Sequence, residues 1–394
     1  LDQYDETPWE VLNTLTSYIN YGGRVTDYID LRTIDVIMKS FYNPGLLSSN
    51  YKFDKEGVFY SVDSDETDPH GSYLTYIDGL PMAASPGVFG MHDNARIASA
   101  NAETFLLCDI LMSLQASDGG GGGAALSKEK QTENIANGII DKHIKVFDVE
   151  AVGMMYPVVY EQSMNTVLLQ ECIRYNKLIH LLLETLPTLV LALKGLVVMS
   201  QDLEAVMNSL FLNVVPDAWS AAAYPSLKNL LAWVEDLMDR LNFIQTWIEK
   251  GIPSTFWISG FYFPQAFLTG SLQNYARKYH IAIDTVAYDY KFMTESWETL
   301  VKAPEDGVYI RGLFLEGARW DPALRSLNDS MPKKLYTDVP AIHLLPKQNR
   351  VDPTGGIYRC PVYKFLSRRG TLSTTGHSTN FVMWIEIPSD RPNF

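Results

Sequence analysis

Cysteine is scarce: Cys108, Cys172 and Cys360 are the only three in 394 residues. They are too few and too scattered for a disulfide framework, and a reducing compartment suits them best. Positive charge is also short, with 32 Lys and Arg against 46 Asp and Glu and a formal net charge of −14. A protein of that sign has no electrostatic reason to bind phosphate backbones, so nucleic acid is not an expected partner. There is no GxxxxGK[ST], and Gly260 and Gly270 are too far apart for a dinucleotide fingerprint, so no nucleotide or other cofactor is expected in this segment. The seven histidines, His70, His92, His143, His180, His280, His343 and His377, contain no HxxxH pair, and zinc has no support. GxSxG is missing, and neither Cys172 nor Cys360 has a catalytic motif around it. The start of the sequence has neither the basic nor the apolar region of a secretory signal, and it opens on Leu1, as a piece excised from a longer protein does. The nearest approach to a membrane span, Leu178 to Met199, is interrupted by His180, Glu184, Pro187 and Lys194. Charges cost roughly 2.5–3.5 kcal/mol each at the centre of a bilayer helix, so this stretch reads as a buried bundle helix, and no membrane partner is expected.

What is present is the material of large packed cores. Hydrophobic residues make up 46% and charged residues 20%, the balance of a globular protein, and the 12% aromatic content includes eight Trp and 22 Tyr. The length allows two or three cores at about 150 residues per domain. Thr7-Pro8-Trp9-Glu10 reads as a helix start with a capping box, and Gly22-Gly23 as its stop. A second helix begins with Thr26 as cap and ends at Asn43-Pro44-Gly45; residues 51–62 read as extended. A short helix near 73–77 and a longer one over 94–115 follow. Five consecutive glycines, Gly119 to Gly123, mark a linker over 116–126 that no packed element tolerates. Beyond it, 127–144 reads as a polar helix. From Gln162, Met164, Leu168, Cys172, Tyr175, Ile179, Leu182, Leu186, Leu189, Leu193 and Leu196 keep a three-four spacing that Pro187 should kink or divide. Helices over 202–214 and 227–250 complete an expected antiparallel bundle, and one more runs from Pro264 to Tyr279. The period then changes to two. Strand candidates at 281–288, 308–315, 341–345, 357–363 and 381–387 suggest a small barrel or sandwich.

Candidate sites are few. Asp63 to Asp68 resembles a calcium loop only briefly: position 6 is Asp68 where the turn needs Gly, and position 12 is Leu74 where a bidentate Glu belongs, so it reads as an acidic solvated loop. Asp148, Glu150, Glu161 and Glu171 could supply a carboxylate pair, but carboxylates are common on helix faces and nothing in the pattern predicts a perturbed pKa. No catalytic, cofactor-binding or metal-binding residue is therefore assigned. The stretch from Trp257 to Gly270 stands out, because six of its fourteen residues are aromatic or proline and none is charged. Trp257, Gly260, Phe261, Phe263, Pro264, Gln265 and Phe267 are read as a hydrophobic seam between a helical layer and a strand layer. The other reading is that some of these aromatics face a partner surface. Asp217-Ala218-Trp219 and Ala223-Tyr224-Pro225-Ser226-Leu227 are read as part of the same layer.

Several longer motifs carry a family resemblance. Tyr21-Gly22-Gly23-Arg24-Val25-Thr26-Asp27, Leu193-Lys194-Gly195-Leu196-Val197, Pro216-Asp217-Ala218-Trp219, Trp257-Ile258-Ser259-Gly260-Phe261 and Phe263-Pro264-Gln265-Ala266-Phe267-Leu268-Thr269-Gly270 resemble, in order, the C-terminal region of dynein heavy chains. The continuation to Gln273-Asn274-Tyr275-Ala276-Arg277-Lys278 is similar to the axonemal branch, of inner-arm type. The resemblance implies an α+β multidomain fold. Residues 1–115 would end the sixth AAA module with lid-like helices, 116–126 would be a linker, 127–280 the helical half of the C-terminal domain, and 281–394 a small β-barrel half. It also implies a mechanical role: a non-catalytic part of a ciliary or flagellar motor, in the cytoplasm and axoneme, that buttresses the AAA+ ring and modulates force and processivity. Its partners would be the other AAA modules, with axonemal dynein subunits and microtubules engaged through the full-length protein; ATP and magnesium would be bound elsewhere in that protein. The competing class is a free-standing scaffold, or an enzyme with an unrecognised site.

Overall fold

The computed structural model describes residues 6–21, 25, 28–49, 51–63, 67–81, 88, 93–117, 127–353, 355–364, 366 and 379–389. The protein forms two compact units, Leu1–Leu106 with Pro332–Leu335, and Leu107–Met331 with Tyr336–Phe394. In the first, α1 (Trp9–Thr14) continues as a π-helical turn, Leu15–Asn20, followed by α2 (Tyr28–Phe41) and α3 (Pro69–Asp78). The capping box expected at Thr7 and Glu10 does not form. Pro8 takes the cap position with no side-chain hydrogen bond, and Thr7 offers only its carbonyl, to the Trp9 N–H at 2.9 Å. Asn13 donates to Asp35 at 2.7 Å and ties α1 to α2. Residues 51–62, expected to be extended, form a loop with a single bridge between Lys52 and Tyr60. Asp54 holds it by accepting the N–H groups of Val58 and Phe59 at 3.1 and 2.7 Å. Helix α4 spans Asp93–Ser117, ending two residues beyond the expected 94–115, so the linker expected from residue 116 does not begin before 118. The Thr26 cap, the Gly22-Gly23 stop and the Gly119–Gly123 run lie outside the described residues.

The second unit begins with helices: α5 (Lys128–Ile140), α6 (Val149–Met155), α7 (Ser163–Leu193), α8 (Gln201–Phe211), α9 (Asp217–Ala222), α10 (Leu230–Lys250) and α11 (Pro264–Lys278). Ser127, Asp148, Ser200 and Asn229 cap four of them, each accepting a backbone N–H three residues on. Left-handed residues after the last turn explain three early stops: His143 after α5, Asn213 after α8 and Gly195 after α7. Gly195 also corrects the apolar stripe, because Leu196 lies past the end of α7 and is exposed rather than buried.

Helix α7 is the axis of this half, with α5, α6, α8, α9, α10 and α11 packed on it. Met164, Leu168, Cys172, Tyr175, Ile179, Leu182, Leu186 and Leu189 line its buried face. It is long and apolar enough to cross a membrane by length and composition, but that face is filled by neighbouring helices. Pro187 does not divide it. Proline leaves the Leu183 carbonyl without its usual donor, yet Leu183 and Pro187 both sit on the exposed side, where water can satisfy the orphan.

The strands are β1 (Thr255–Trp257), β2 (Val286–Phe292), β3 (Val308–Arg311), β4 (Phe314–Glu316), β5 (Ala318–Asp321), β6 (Ser326–Asp329), β7 (Tyr336–Asp338), β8 (Ile342–Gln348), β9 (Ile357–Tyr363) and β10 (Phe381–Pro388). They give the α+β architecture but not the expected barrel. Among the described residues they form one four-stranded sheet, ordered β1-β3-β8-β2, and three two-stranded ribbons, β9–β10, β4–β7 and β5–β6. Closing a ring needs long strands paired on both edges, whereas β1, β4 and β7 have only three residues each. Side chains bridge what the backbone leaves open. Tyr290 Oη of β2 donates to the Trp384 carbonyl of β10 at 2.7 Å, and Arg350 reaches both Asp289 of β2 and Glu386 of β10. The first strand candidate is also displaced: Ile283–Thr285 is a 3₁₀ turn, and β2 starts only at Val286.

Candidate functional site

The uncharged stretch from Trp257 to Gly270 passes through three elements: the end of β1, a 3₁₀ turn at Ile258–Gly260, and the first half of α11. Pro264 opens α11 at its first position, where a missing N–H costs nothing. Phe261 is 3% exposed and Phe267 is fully buried; their rings stack 4.7 Å apart. Phe256 lies 4.7 Å from Phe267, and Trp247 of α10 meets Phe256 edge-on at 5.3 Å. Phe243, also of α10, stands edge-on to Phe261 at 5.6 Å and to Trp257 at 6.2 Å. Two glycines make room for this. A Cβ on Gly260 would lie 2.6 Å from the Trp257 ring, and one on Gly312, at φ +89°, would collide with the same indole. The cluster therefore joins α10, β1 and α11, and Ile310, Leu344 and Tyr288 of the sheet belong to the same continuous core.

Polar contacts fix its orientation. Tyr175 Oη of α7 donates to the Gly260 carbonyl at 2.7 Å, Ser259 Oγ to the Gly312 carbonyl at 2.8 Å, and Tyr288 Oη of β2 to the Leu268 carbonyl at 2.7 Å. Gln265 points away from the rings and donates to the Phe381 carbonyl of β10 at 2.9 Å. Phe263 is 38% exposed and lies between the cations of Arg174 and Lys364, 5.1 and 5.3 Å from its centroid. The structure thus brings Trp257, Gly260, Phe261 and Phe267 into one cluster and sends Phe263 and Gln265 to its flanks. Trp219 and Tyr224 are buried beside it, with Tyr224 edge-on to Tyr262 at 6.1 Å.

Glu171, one of the four candidate carboxylates, is buried beside the rings, a position not expected from sequence, and Arg240 was not singled out at all. The Glu171 side chain of α7 is fully buried and accepts the N–H groups of Tyr262 and Phe263 at 2.5 and 3.1 Å, which holds the approach to α11. Burial pushes its carboxyl up, against the opposing pull of those N–H groups and of Arg174. On α10, Arg240 Nε donates to Asp236 at 2.7 Å, and its guanidinium lies 3.8 Å from the Tyr224 ring centroid and 5.5 Å from that of Trp257. Lys228 adds a second contact to Asp236 at 2.6 Å. Burial opposes ionisation of Asp236, but Arg240 and Lys228 prevail and hold its carboxyl below the usual range. The signal was in the spacing. Glu171 falls three residues after Leu168 and four before Tyr175, and Arg240 three after Leu237 and four before Ile244, so both occupy core positions of their helices.

The remaining carboxylates do not join Glu171. Asp148 caps α6, and Glu150 and Glu161 are exposed. Burial pushes the Cys172 thiol up to about 12, which makes it a packing residue rather than a nucleophile. Among the described residues, no group of His, Cys, Asp and Glu is arranged to hold a metal ion. A cleft of about 220 Å³ opens beside the rings, with Met164 and Phe256 in its lining and Asn274, Lys278 and Asp306 also bordering it. The arrangement packs Trp247 of α10, Phe267 of α11, Phe256 of β1 and Ile310 of β3 into one continuous core.

Comparison with known proteins agrees in kind. Residues 101–393 match the C-terminal domain of the dynein heavy chain, and residues 1–95 match its AAA lid domain. The sequence is 50% identical over 392 residues to dynein axonemal heavy chain 1 of Rattus norvegicus, covering 100% of the present protein and 9% of that one. It is 47% identical over 396 residues to dynein axonemal heavy chain 3 of Homo sapiens, again covering 100% and 9%. Dynein axonemal heavy chain 12 of Homo sapiens is 42% identical over 399 residues, covering 100% and 12%. The 394 residues span about a tenth of the length of these curated relatives.

Proposed function

Because this protein belongs to the dynein heavy chains, we propose that it is a mechanical, non-catalytic part of a ciliary or flagellar motor, which buttresses the AAA+ ring and tunes how ring movements become force and run length. In this reading the lid-like helices expected over 1–115 complete the sixth AAA module, the linker is the part of 116–126 that remains after α4 ends at Ser117, and the helical and strand halves that follow form the C-terminal domain. ATP and magnesium bind elsewhere in the heavy chain. The other AAA modules are the direct partners, and axonemal dynein subunits and microtubules are engaged through the full-length heavy chain, itself of inner-arm type, in the axoneme. The observation that carries the reading is the continuous core across the seam: Phe256, Phe261 and Phe267 belong to one cluster with Trp247 of the bundle and Ile310 of the sheet. Close-packed interiors are stiff and pass strain on rather than absorbing it. Removing residues 281–394 from the full-length heavy chain is expected to change force or run length while basal ATP hydrolysis stays measurable. Unchanged motility would overturn the role. Tight ATP binding by the 394-residue protein in equilibrium dialysis would favour the alternative of an enzyme.

A further inference from the structure

Arg311 ends β3 opposite Trp257 in the parallel β1–β3 ladder. Its guanidinium carbon lies 3.9 Å from the ring centroid of Trp297 and 5.8 Å from that of Trp257, so the planar group is held among indole faces. Arg311 is also the only charged side chain, among the described residues, with a fully buried atom that has no hydrogen-bond partner: its Nε. Burial draws its pKa down, with Glu298 opposing at longer range. The buried Nε is closed to outside groups, but the stack leaves the terminal Nη pair to point outward, and two parallel donors there fit a carboxylate in bidentate fashion. Exposed aromatics accompany Arg311. Trp297 is 42% exposed, and Phe314, three residues beyond Arg311, is 64% exposed. Leaving a partly desolvated cation unpaired is costly, and two other part-buried arginines of this unit, Arg240 and Arg350, do have carboxylate partners.

We propose that Arg311, clamped against Trp297 and Trp257, receives the carboxylate of an Asp or Glu side chain from a part of the heavy chain outside these 394 residues. Charge and fork geometry select an acidic side chain. The length of the relatives places most of the candidate surface in the same polypeptide, since the present sequence spans about a tenth of them. The inference rests on the buttressing role proposed above and names a point at which the ring would bear on the domain.

The test uses the full-length heavy chain. Arg311→Lys keeps the charge and places an amine where the fork was, so carbodiimide treatment followed by peptide mapping should yield an isopeptide bond between position 311 and an acidic residue outside positions 1–394. Coupling confined to Glu298 or other residues of this segment, or no coupling, overturns the proposal. A second measurement needs no substitution. In the native heavy chain, phenylglyoxal should label Arg311 slowly at low ionic strength and on the order of tenfold faster near 1 M salt, where the ion pair is screened. Fast, salt-independent labelling overturns it. If the 281–394 deletion alters motility while both measurements fail, this contact alone is wrong. If that deletion leaves motility unchanged, the broader role is wrong.

Discussion

Phe267 has no exposed surface and touches both Phe256 and Phe261 at 4.7 Å, so it is the residue whose loss should be felt most. Phe267→Ala is expected to cost about 3–5 kcal/mol in urea unfolding, by the usual cost of emptying a buried aromatic site. Trp257→Ala, at the half-buried margin, should cost less and loosen the contact with Phe243. Gly260→Ala should destabilise by roughly 1–3 kcal/mol, because its Cβ meets an indole that is already wedged. Two carboxylates make opposite contributions with pH. The Glu171 carboxyl is raised in the folded protein, so it favours folding in acid. That contribution is lost as pH climbs from the ordinary Glu value of about 4.3 through the raised folded one. Glu171→Gln should therefore gain stability relative to the native protein as pH rises from about 4 toward neutrality. Asp236 is depressed, so its contribution is present above the ordinary Asp range and is lost as pH falls; Asp236→Asn should flatten the acid limb. Urea midpoints collected across pH would show either slope, and parallel curves for variant and native protein would refute the assignment.

At the scale of elements, α7 explains why charge sits inside this protein. It is the helix on which the others pack, and its buried face includes Glu171 because the approach to α11 needs an acceptor for two backbone N–H groups. Pro187→Ala should raise the stability of α7 by restoring a helical donor, with little change in packing, since the site faces solvent. A loss of stability there would show that the proline shapes the helix. The main helices were legible because their apolar spacing repeats over many turns, as in Met164 to Leu189 and Leu230 to Ile244. The strands were legible as alternation, but their partners were not. Nothing local to Thr255-Phe256-Trp257 announces that it pairs with Val308–Arg311 across fifty residues, and the short β5–β6 hairpin was hidden in a stretch without clear alternation. The seam was visible as composition. Its division into a ring cluster, an outward Phe263 and a sheet-facing Gln265 depends on where α7 and β10 lie, which residue spacing does not encode.

For the whole molecule, a shared core predicts shared unfolding. Helical and near-ultraviolet circular dichroism should report one coincident transition for the second unit, and Phe267→Ala should lower it or separate the two signals. Coincident, unshifted curves would place the joint elsewhere. The β1–β3 ladder has a further consequence. β1 lies between α10 and α11 in the sequence, yet its hydrogen-bonding partner belongs to the sheet. Any cut made before Val308 therefore strips β1 of its neighbour and bares Phe256, leaving a sticky backbone edge beside an aromatic face. A heavy chain shortened there is expected to clump, independently of the mechanical role proposed above. Gly312→Ala, which crowds Trp257 and strains a left-handed turn without deleting any strand, is the cleaner way to slacken the joint, and on the proposed role a heavy chain carrying it should stay dispersed while its force or run length changes.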